Sequence, residues 1–459
     1  MRLGNIRLKN YRGFERFNLK LHPDVTVIVG VNGCGKTTLM SALRLLLWSY
    51  VRNYVDDIRP GSPPRIDIDD VHRIPTASGG IALQFPCSVE GKFVFPDDWD
   101  SDAFDEDDED DLFESLHLNK TGCALKTEKG RLQWSRGSFV DVRAAEKAMD
   151  AVSEDLDLLL GADVRPTDLP VIACYGTSRL WKRSAGLRGT GRSTIRFAGY
   201  DGATSVKSSF MRLEWFVMFL FSSASSGLLN RNSIALLWKG VGDAICTVTG
   251  WQVQLPRSGE KDLLFEHGSE KLKLSQLGDG VRCMIELVGD LACRCALLNY
   301  HYKKDAVKKT SGVVLIDEID MHLHPGWQQT ILKQLQDAFP KVQFIVTTHS
   351  PQVLSTVRRE NIRVVDRNAN GQIVASEPLV HTYGESSGDV LQSVMEVDPL
   401  PPVPEKTDLK RLTALVDQGF HEAPESVLLM EQLIATLGEL HPQLLRLKRD
   451  IQRQKALNK

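Results

Sequence analysis

The chain has 459 residues, 42% of them apolar, and a formal net charge of −3. The length allows two or three domains around a substantial core, and the near-neutral charge supplies no global field for nucleic acid, so any such contact must be a local patch. The most apolar run, Phe216 to Phe221, is too short to span a bilayer, and the eight cysteines form no paired C-x-x-C zinc pattern. With no secretory signal, they read as reduced packing residues of a cytoplasmic protein without membrane contact.

The first 48 residues read as strand, turn, strand, phosphate loop, helix. Val25-Thr26-Val27-Ile28-Val29 is a short β-branched run bounded by Pro23-Asp24 and Gly30, as expected of a buried strand. Leu39, Leu43, Leu46 and Leu47 then recur at helical spacing. Between them, Gly30-x-x-x-x-Gly35-Lys36-Thr37 completes G-x-x-x-x-G-K-[ST] in its required setting. The loop from Gly30 through Asn32, Gly33, Cys34 and Gly35 to Thr38 is therefore the expected ATP cradle, its amides and the helix start turned toward phosphate. Lys36 is expected to reach the β- and γ-phosphates, and the Thr37 hydroxyl to bind Mg²⁺.

Pro60 to Pro75 is rich in proline and aspartate and reads as a loop; strand-like runs follow at Ile81–Val89 and Leu132–Trp134. Between these runs lies an acidic block from Asp97 to Asp111. Such a block repels itself and reads as a disordered insertion, the alternatives being a docking site for a basic partner or a mimic of nucleic-acid charge. Leu169–Tyr175 is a second buried strand. After it, Lys182, Arg183, Arg188, Arg192 and Arg196 follow without an acid among them, as a nucleic-acid patch or a mobile loop. Helical periodicity spans Ser209–Leu229 and Asp279–Tyr300. A proline-rich linker, Pro399 to Pro404, leads into a leucine-patterned helical tail with a basic last helix.

Gly312-Val313-Val314-Leu315-Ile316-Asp317-Glu318 is a continuous apolar strand ending in two acids, and open α/β sheets place ligands at such C-terminal strand ends. Asp317 is expected to hold the Mg²⁺ shell, and Glu318 to polarise the attacking water. The following Asp320-Met321-His322-Leu323-His324-Pro325 contains His-x-His, but no further ligand cluster supports zinc. Another apolar strand, Val342–Val346, ends in Thr347-Thr348-His349-Ser350. His349 there either senses a γ-phosphate or fills the core.

Phosphate loop, "LIDEID", "HLHP" and "TTHS" together resemble the ABC-type ATPase heads of the SMC, RecF and overcoming-lysogenization class, and the opening "IRLKNYRGFE" resembles their first strand. The resemblance covers roughly residues 1–48 and 270–365. It implies an α/β fold: a P-loop ABC-type head with a mixed, largely parallel sheet, helical insertions and a C-terminal helical tail. It also implies ATP and Mg²⁺ as cofactors, Asp320 in the D-loop, His349 as switch histidine and Arg12 near the nucleotide. A narrower resemblance, through "VIACYGTSRLW", "QLGDGVRCMIELVGDLACR" and "FHEAPESVLLMEQLIATLGELHPQL", is to the PtuA ATPases of bacterial anti-phage Septu systems, relatives of which accompany some retrons. That resemblance implies an HNH nuclease of the PtuB kind as partner, a homo-oligomer of ATP-bridged dimers, DNA met through the complex, and in some systems a retron reverse transcriptase.

One departure stands out. ABC heads carry a signature Ser-Gly-Gly that reaches the γ-phosphate of the opposing subunit. Aligned through Leu277, the serine position here is Gly278, followed by Asp279 and Gly280; alignment on Ser275 misplaces the glycines. Slow or absent turnover is the expectation, with ATP acting mainly as a ligand. No long heptad array exists for an SMC-like arm, and the tail lacks the acids of a TOPRIM nuclease, so the chain is not expected to cut DNA itself. The expected organisation is an N-terminal lobe at 1–95, an acidic insertion at 96–116, remaining lobe and helical or basic insertion at 117–270, a signature, Walker B and switch lobe at 271–398, and a partner-binding tail at 399–459. Two readings stay open: a regulatory ATPase of a defence complex, and a RecF-like DNA-repair ATPase without a nuclease partner. A transporter-type subunit is disfavoured by the missing signature and membrane coupling.

Overall fold

The computed structural model describes residues 1–54, 66–76, 79–94, 113–118, 131–133, 138–141, 167–177, 195–205, 212–226, 229–256 and 262–457. The acidic block and the basic segment up to residue 194 lie outside these. The described chain divides into two units, Met1–Val390 and Leu391–Lys459.

In chain order the strands are β1 (Arg2–Tyr11), β2 (Phe14–Lys20), β3 (Val25–Val29), β4 (Arg73–Pro75), β5 (Ile81–Leu83), β6 (Cys87–Val94), β7 (Phe113–Leu118), β8 (Arg131–Gln133), β9 (Ser138–Asp141), β10 (Val171–Tyr175), β11 (Gln252–Val253), β12 (Leu264–His267), β13 (Glu270–Lys273), β14 (Gly312–Ile316), β15 (Val342–Thr347), β16 (Ile362–Arg367) and β17 (Ile373–Ser376). The run expected at Ile81–Val89 is thus two strands. The first sheet is antiparallel, in the order β2-β1-β6-β7-β9-β8. Its strand β1 alternates as a one-sided sheet should: Ile6 and Leu8 are buried, Arg7 and Lys9 exposed.

The second sheet runs β10-β14-β15-β3-β16-β17, parallel throughout except for β17. Every residue of β3, β10, β14 and β15 is buried. These are the predominantly apolar runs legible in the sequence, as strands covered on both faces require. Buried Gln343 on β15 stitches the two sheets together. Its Oε1 accepts from the Leu3 amide at 2.7 Å, and its Nε2 donates to the Leu3 and His22 carbonyls, each at 2.9 Å. The helix Lys36–Val51 packs on the first sheet so closely that a Cβ on Gly91 would stand 2.6 Å from a Leu46 methyl.

Helices Arg212–Ser225, Arg231–Thr249 and Asp279–Leu298 pack together in the first unit. A buried ion cluster locks the first and third of them to β10. Asp290 accepts from Arg212 at 2.6 Å, from Arg294 at 2.7 Å and from the Tyr175 hydroxyl at 2.7 Å. Burial alone would raise the Asp290 carboxyl; Arg294 and Arg212 overcome it and hold the group below the usual carboxylate range. Arg196, expected within a basic patch, is corrected here. It is buried, and donates to the carbonyls of Leu298 at 2.8 Å and of Thr167, so it serves packing and is withdrawn from any nucleic-acid surface.

The second unit holds the helices Lys406–Asp417, Pro424–Leu437 and Pro442–Leu457 around Leu409, Leu412, Val416, Leu433, Leu444 and Leu447. The leucine pattern of the tail is this core, and the unit begins at Leu391, ahead of the expected proline-rich boundary. Among the described residues no helix is long and apolar enough to cross a membrane.

Glu286 gives the fold a pH signature. Its side chain is 3% exposed, and burial pushes its carboxyl up to about 7, against the pull of Arg282 at 3.0 Å. The folded state therefore holds a proton that the unfolded chain releases near pH 4.5, so this group's contribution is fully present below that pH and is lost as pH rises through about 7. Glu286→Gln should stabilise the protein at pH 8 by up to roughly 3 kcal/mol, an advantage that vanishes at pH 4.5 in denaturant melts.

Candidate nucleotide-binding site

Parallel pairing puts the C-terminal ends of β3, β15 and β14 side by side, about 4.8 Å from neighbour to neighbour. The phosphate loop leaves β3, the 317–324 loop leaves β14, and Thr347-Thr348-His349-Ser350 leaves β15. Residues far apart in the chain thus meet on one edge.

The phosphate loop is shaped by its glycines. A Cβ on Gly30 would stand 2.2 Å from the Val365 carbonyl oxygen of β16 and 2.8 Å from Cys34 Sγ. Gly33 and Gly35 adopt φ of 82° and 101°, where side chains are strained, and a Cβ on Gly35 would strike the Phe14 ring at 2.8 Å. The cradle thus has no space for a side chain at Gly30 and Gly35, while at Gly33 the space is open and only the backbone angle favours glycine. Lys36 Nζ turns back into it, donating to the Gly30 carbonyl at 2.7 Å and the Val31 carbonyl at 3.0 Å, with Cys34 Sγ at 3.9 Å. Asn32, Gly33 and Thr37 are exposed, Thr38 is half-buried and Cys34 is buried. A loop of this shape, with its ammonium group held over the carbonyls it encircles, fits a polyphosphate; exchange of those carbonyls for phosphate oxygens gains a charge-assisted contact.

Thr347 organises the acidic side. Its hydroxyl donates to Asp317 Oδ1 at 2.6 Å and accepts the Glu318 amide at 2.8 Å. The Ile319 amide donates to the Thr347 carbonyl at 3.0 Å. The backbone turns sharply there, with Glu318 at φ 50° and His322 at φ 65°. Such left-handed residues cost of order 1 kcal/mol each and are held by their surroundings. Thr348 Oγ1 donates to Asp320 Oδ1 at 2.6 Å, and the His349 amide lies 3.4 Å from the same oxygen. Asp317, Glu318, Asp320 and His349 are therefore fixed as one group. Mg²⁺ commonly takes one or two protein oxygens and fills its remaining positions from phosphate and water, and Thr37 and Asp317 suit that role chemically. His324 Nδ1 caps a turn by accepting the Gly326 amide at 3.2 Å, and among the described residues no group of three or more His, Cys, Asp or Glu gathers around a metal position.

Arg12 sits at φ 48° on the β1–β2 turn, the turn whose Phe14 packs against Gly35. Its Nε donates to Asp70 Oδ1 at 2.7 Å, its amide to the Asp70 carbonyl, and its own carbonyl is 2.6 Å from His72 Nδ1. Asp70, which sequence reading missed in what looked like an ordinary loop, is the residue that holds the Arg12 guanidinium and amide in place. Gly278 caps the Asp279–Leu298 helix with no side-chain contact, and Asp279 is exposed. A Cβ at Gly278 would meet nothing within 4 Å, whereas one at Gly280 would lie 2.6 Å from the His322 carbonyl oxygen. The helix start therefore abuts the 317–324 loop at Gly280. Ser275 belongs to a separate 3-10 turn, Leu274–Gln276, before it.

Residues 1–117 match the family described as AAA ATPase domain, and residues 220–355 the family described as AAA domain, putative AbiEii toxin, Type IV TA system. Fold and site define an ABC-type ATPase head of the SMC and RecF class. The chain belongs to the family of the retron Vc95 probable ATPase of Vibrio cholerae serotype O1 biovar El Tor: the two are 35% identical over 475 residues, covering 91% of this chain and 84% of that protein. The Septu protein PtuA of Bacillus mycoides (strain KBAB4) is 34% identical over 133 residues, 29% of this chain and 18% of that one. Among solved structures, the SmcHead bound to the C-winged helix domain of ScpA aligns with a TM-score of 0.46 at 15% identity, over 82% of this chain and 98% of that chain.

Lys36→Ala removes the ammonium and its charge-assisted contacts. ATP affinity, read by isothermal titration, should fall by about 3 kcal/mol, roughly 100-fold; unchanged affinity would contradict the assignment of the loop.

Proposed function

We propose that the protein is the ATP-binding subunit of an anti-phage defence complex, in which two copies dimerise around ATP and Mg²⁺ and thereby regulate a partner HNH nuclease. Nucleotide acts mainly as an assembly ligand, and hydrolysis is slow. Support for the defence role comes from kinship with the retron Vc95 ATPase and the Septu protein PtuA. The observation that carries slow hydrolysis is Gly278, which caps its helix without a hydroxyl and with open space around it.

In this reading, bound Mg²⁺ neutralises phosphate charge. The chain supplies the rest. The loop amides and Lys36 hold the phosphates, Thr347 fixes the Asp317 carboxylate, and Glu318 accepts a proton from water. His349 is placed to feel the terminal phosphate, and Arg12, braced by Asp70, to steady the nucleotide. At the trans position a serine hydroxyl would add one oriented donor; losing one such donor costs on the order of 10²–10³ in rate. Because that position is open, Gly278→Ser should raise steady-state turnover without loss of stability. Glu318→Gln should retain ATP binding and remove residual hydrolysis. Fast turnover by the unmodified protein, or no gain in Gly278→Ser, would count against the reading. The nuclease partnership is checked by co-purification: recovery of an HNH protein supports it, and its absence from a native pull-down contradicts it.

A RecF-like role in direct DNA binding is favoured by one feature. Lys9 and Arg16 stand directly opposite across β1 and β2, an arrangement of like charges that costs stability. With Arg7, Asn18, Ser88 and Glu90 they line an outward groove of about 450 Å³. If DNA phosphates relieve that repulsion, Lys9→Gln/Arg16→Gln should lower the salt slope of DNA binding by about 2 in anisotropy titrations. An unchanged slope would leave the groove a solvated face.

A further inference from the structure

Gln328 takes no part in the nucleotide contacts described above and belongs to none of the motifs that flank it. It lies in the short helix Pro325–Gln328, half-buried, between two loops that the site depends on. Its Nε2 donates to the Leu323 carbonyl at 2.9 Å and lies 3.4 Å from the Asp320 carbonyl. Its Oε1 accepts from Ser350 Oγ at 2.7 Å, a shorter approach than Ser350 makes to Gln352 Oε1 at 3.1 Å. The amide orientation follows from chemistry: carbonyl oxygens only accept, so the nitrogen has to face Leu323 and Asp320, and the oxygen has to face the hydroxyl.

Each end of this bridge is anchored. Ser350 follows His349, its hydroxyl accepts the Gln352 and Val353 amides, and its own amide donates to Thr348 Oγ1 at 3.0 Å. Thr348 in turn holds the Asp320 carboxylate. On the other side, the loop that Gln328 grips carries the His322 carbonyl, which closes against Gly280 at the start of the Asp279–Leu298 helix. An unbroken line of contacts thus runs from His349 and Ser350, through Gln328, into the 320–323 loop and on to the helix start at Gly278–Gly280.

We infer that Gln328 is a positioning residue that couples the His349–Ser350 strand end to the 320–323 loop and, through His322, to the Gly278–Gly280 helix start. A nucleotide contact felt at His349 is thereby passed to the surface offered to the opposing copy. The inference rests on the proposed ATP-dependent assembly, and it names how that assembly is switched on within one chain. Because Gln328 reaches only the Asp320 backbone carbonyl among the groups expected at the nucleotide, and at 3.4 Å, its loss should leave ATP affinity in place while uncoupling the response.

The test is hydrogen–deuterium exchange of the full-length protein with and without ATP and Mg²⁺, alongside isothermal titration of ATP. Two variants are compared with the unmodified protein. Gln328→Glu keeps the acceptor toward Ser350 but sets a carboxylate oxygen against the Leu323 carbonyl; Gln328→Met keeps the volume and makes neither bond. In the unmodified protein, ATP should slow exchange at 347–353, 321–324 and 278–282 together. In both variants the 347–353 response, that of 317–320, which Thr347 and Thr348 hold directly, and the ATP affinity should persist while the responses at 321–324 and 278–282 are lost, a pattern that general destabilisation does not produce. Retention of all three responses in either folded variant would overturn the inference. So would an unmodified protein that binds ATP and answers only at 347–353. Failure of the unmodified protein to bind ATP would instead overturn the proposed function.

Discussion

The candidate site depends on the parallel register of three strands, β14, β15 and β3, and on one hydroxyl at its edge. Thr347 is the last residue of β15, and it pairs with Ile28 of β3. Its Oγ1 accepts the Glu318 amide and donates a hydrogen bond to Asp317, while its carbonyl accepts the Ile319 amide. One residue on, the Thr348 amide donates to the Ile28 carbonyl at 3.3 Å and its hydroxyl binds Asp320. Two adjacent threonines thus tie the strand that feeds the phosphate loop to the strand that feeds the acids. Without that pairing, Lys36 and Asp317 have no reason to face one ligand.

Rigidity around the edge comes from close packing at backbone level. Gly30 against Val365, Gly35 against Phe14 and Gly280 against His322 are contacts in which even one added carbon would displace main chain or ring. They leave little slack between phosphate loop, β16, the β1–β2 turn, the 317–324 loop and the Asp279–Leu298 helix. Gly278 stands apart from the three. It has room for a side chain and a backbone conformation that any residue adopts, so packing does not require a glycine there. The absence of a hydroxyl at that place is a chemical feature of the chain and has no steric cause.

Much of this was legible in the sequence because it is carried by short, local signals. Val25–Val29, Val171–Tyr175, Gly312–Ile316 and Val342–Thr347 announce buried parallel strands by their short, predominantly apolar runs, and the glycine spacing of the phosphate loop is specific in that setting. What escaped is what depends on pairing between distant segments. Asp70 meets Arg12 across 58 positions, and Asp290 binds Arg212 across 78. Neither carries a local mark, and charge counting, which left Arg196 in either a nucleic-acid patch or a mobile loop, offered no sign that it is buried. Gln328 is the same kind of omission: a glutamine beside a tryptophan has no motif, and its meaning comes from the two loops that it joins.

The central claim is that ATP is held as a clamp between copies and is consumed slowly. The direct measurement is the mass of the unmodified protein in solution by analytical ultracentrifugation, with ATP and Mg²⁺, with the nucleotide recovered at intervals and identified. The account predicts a larger, even-numbered assembly that forms on ATP addition and persists for hours with ATP still intact inside it. An assembly that ignores nucleotide, or one that forms and then decays as ATP is rapidly converted to ADP, would contradict it.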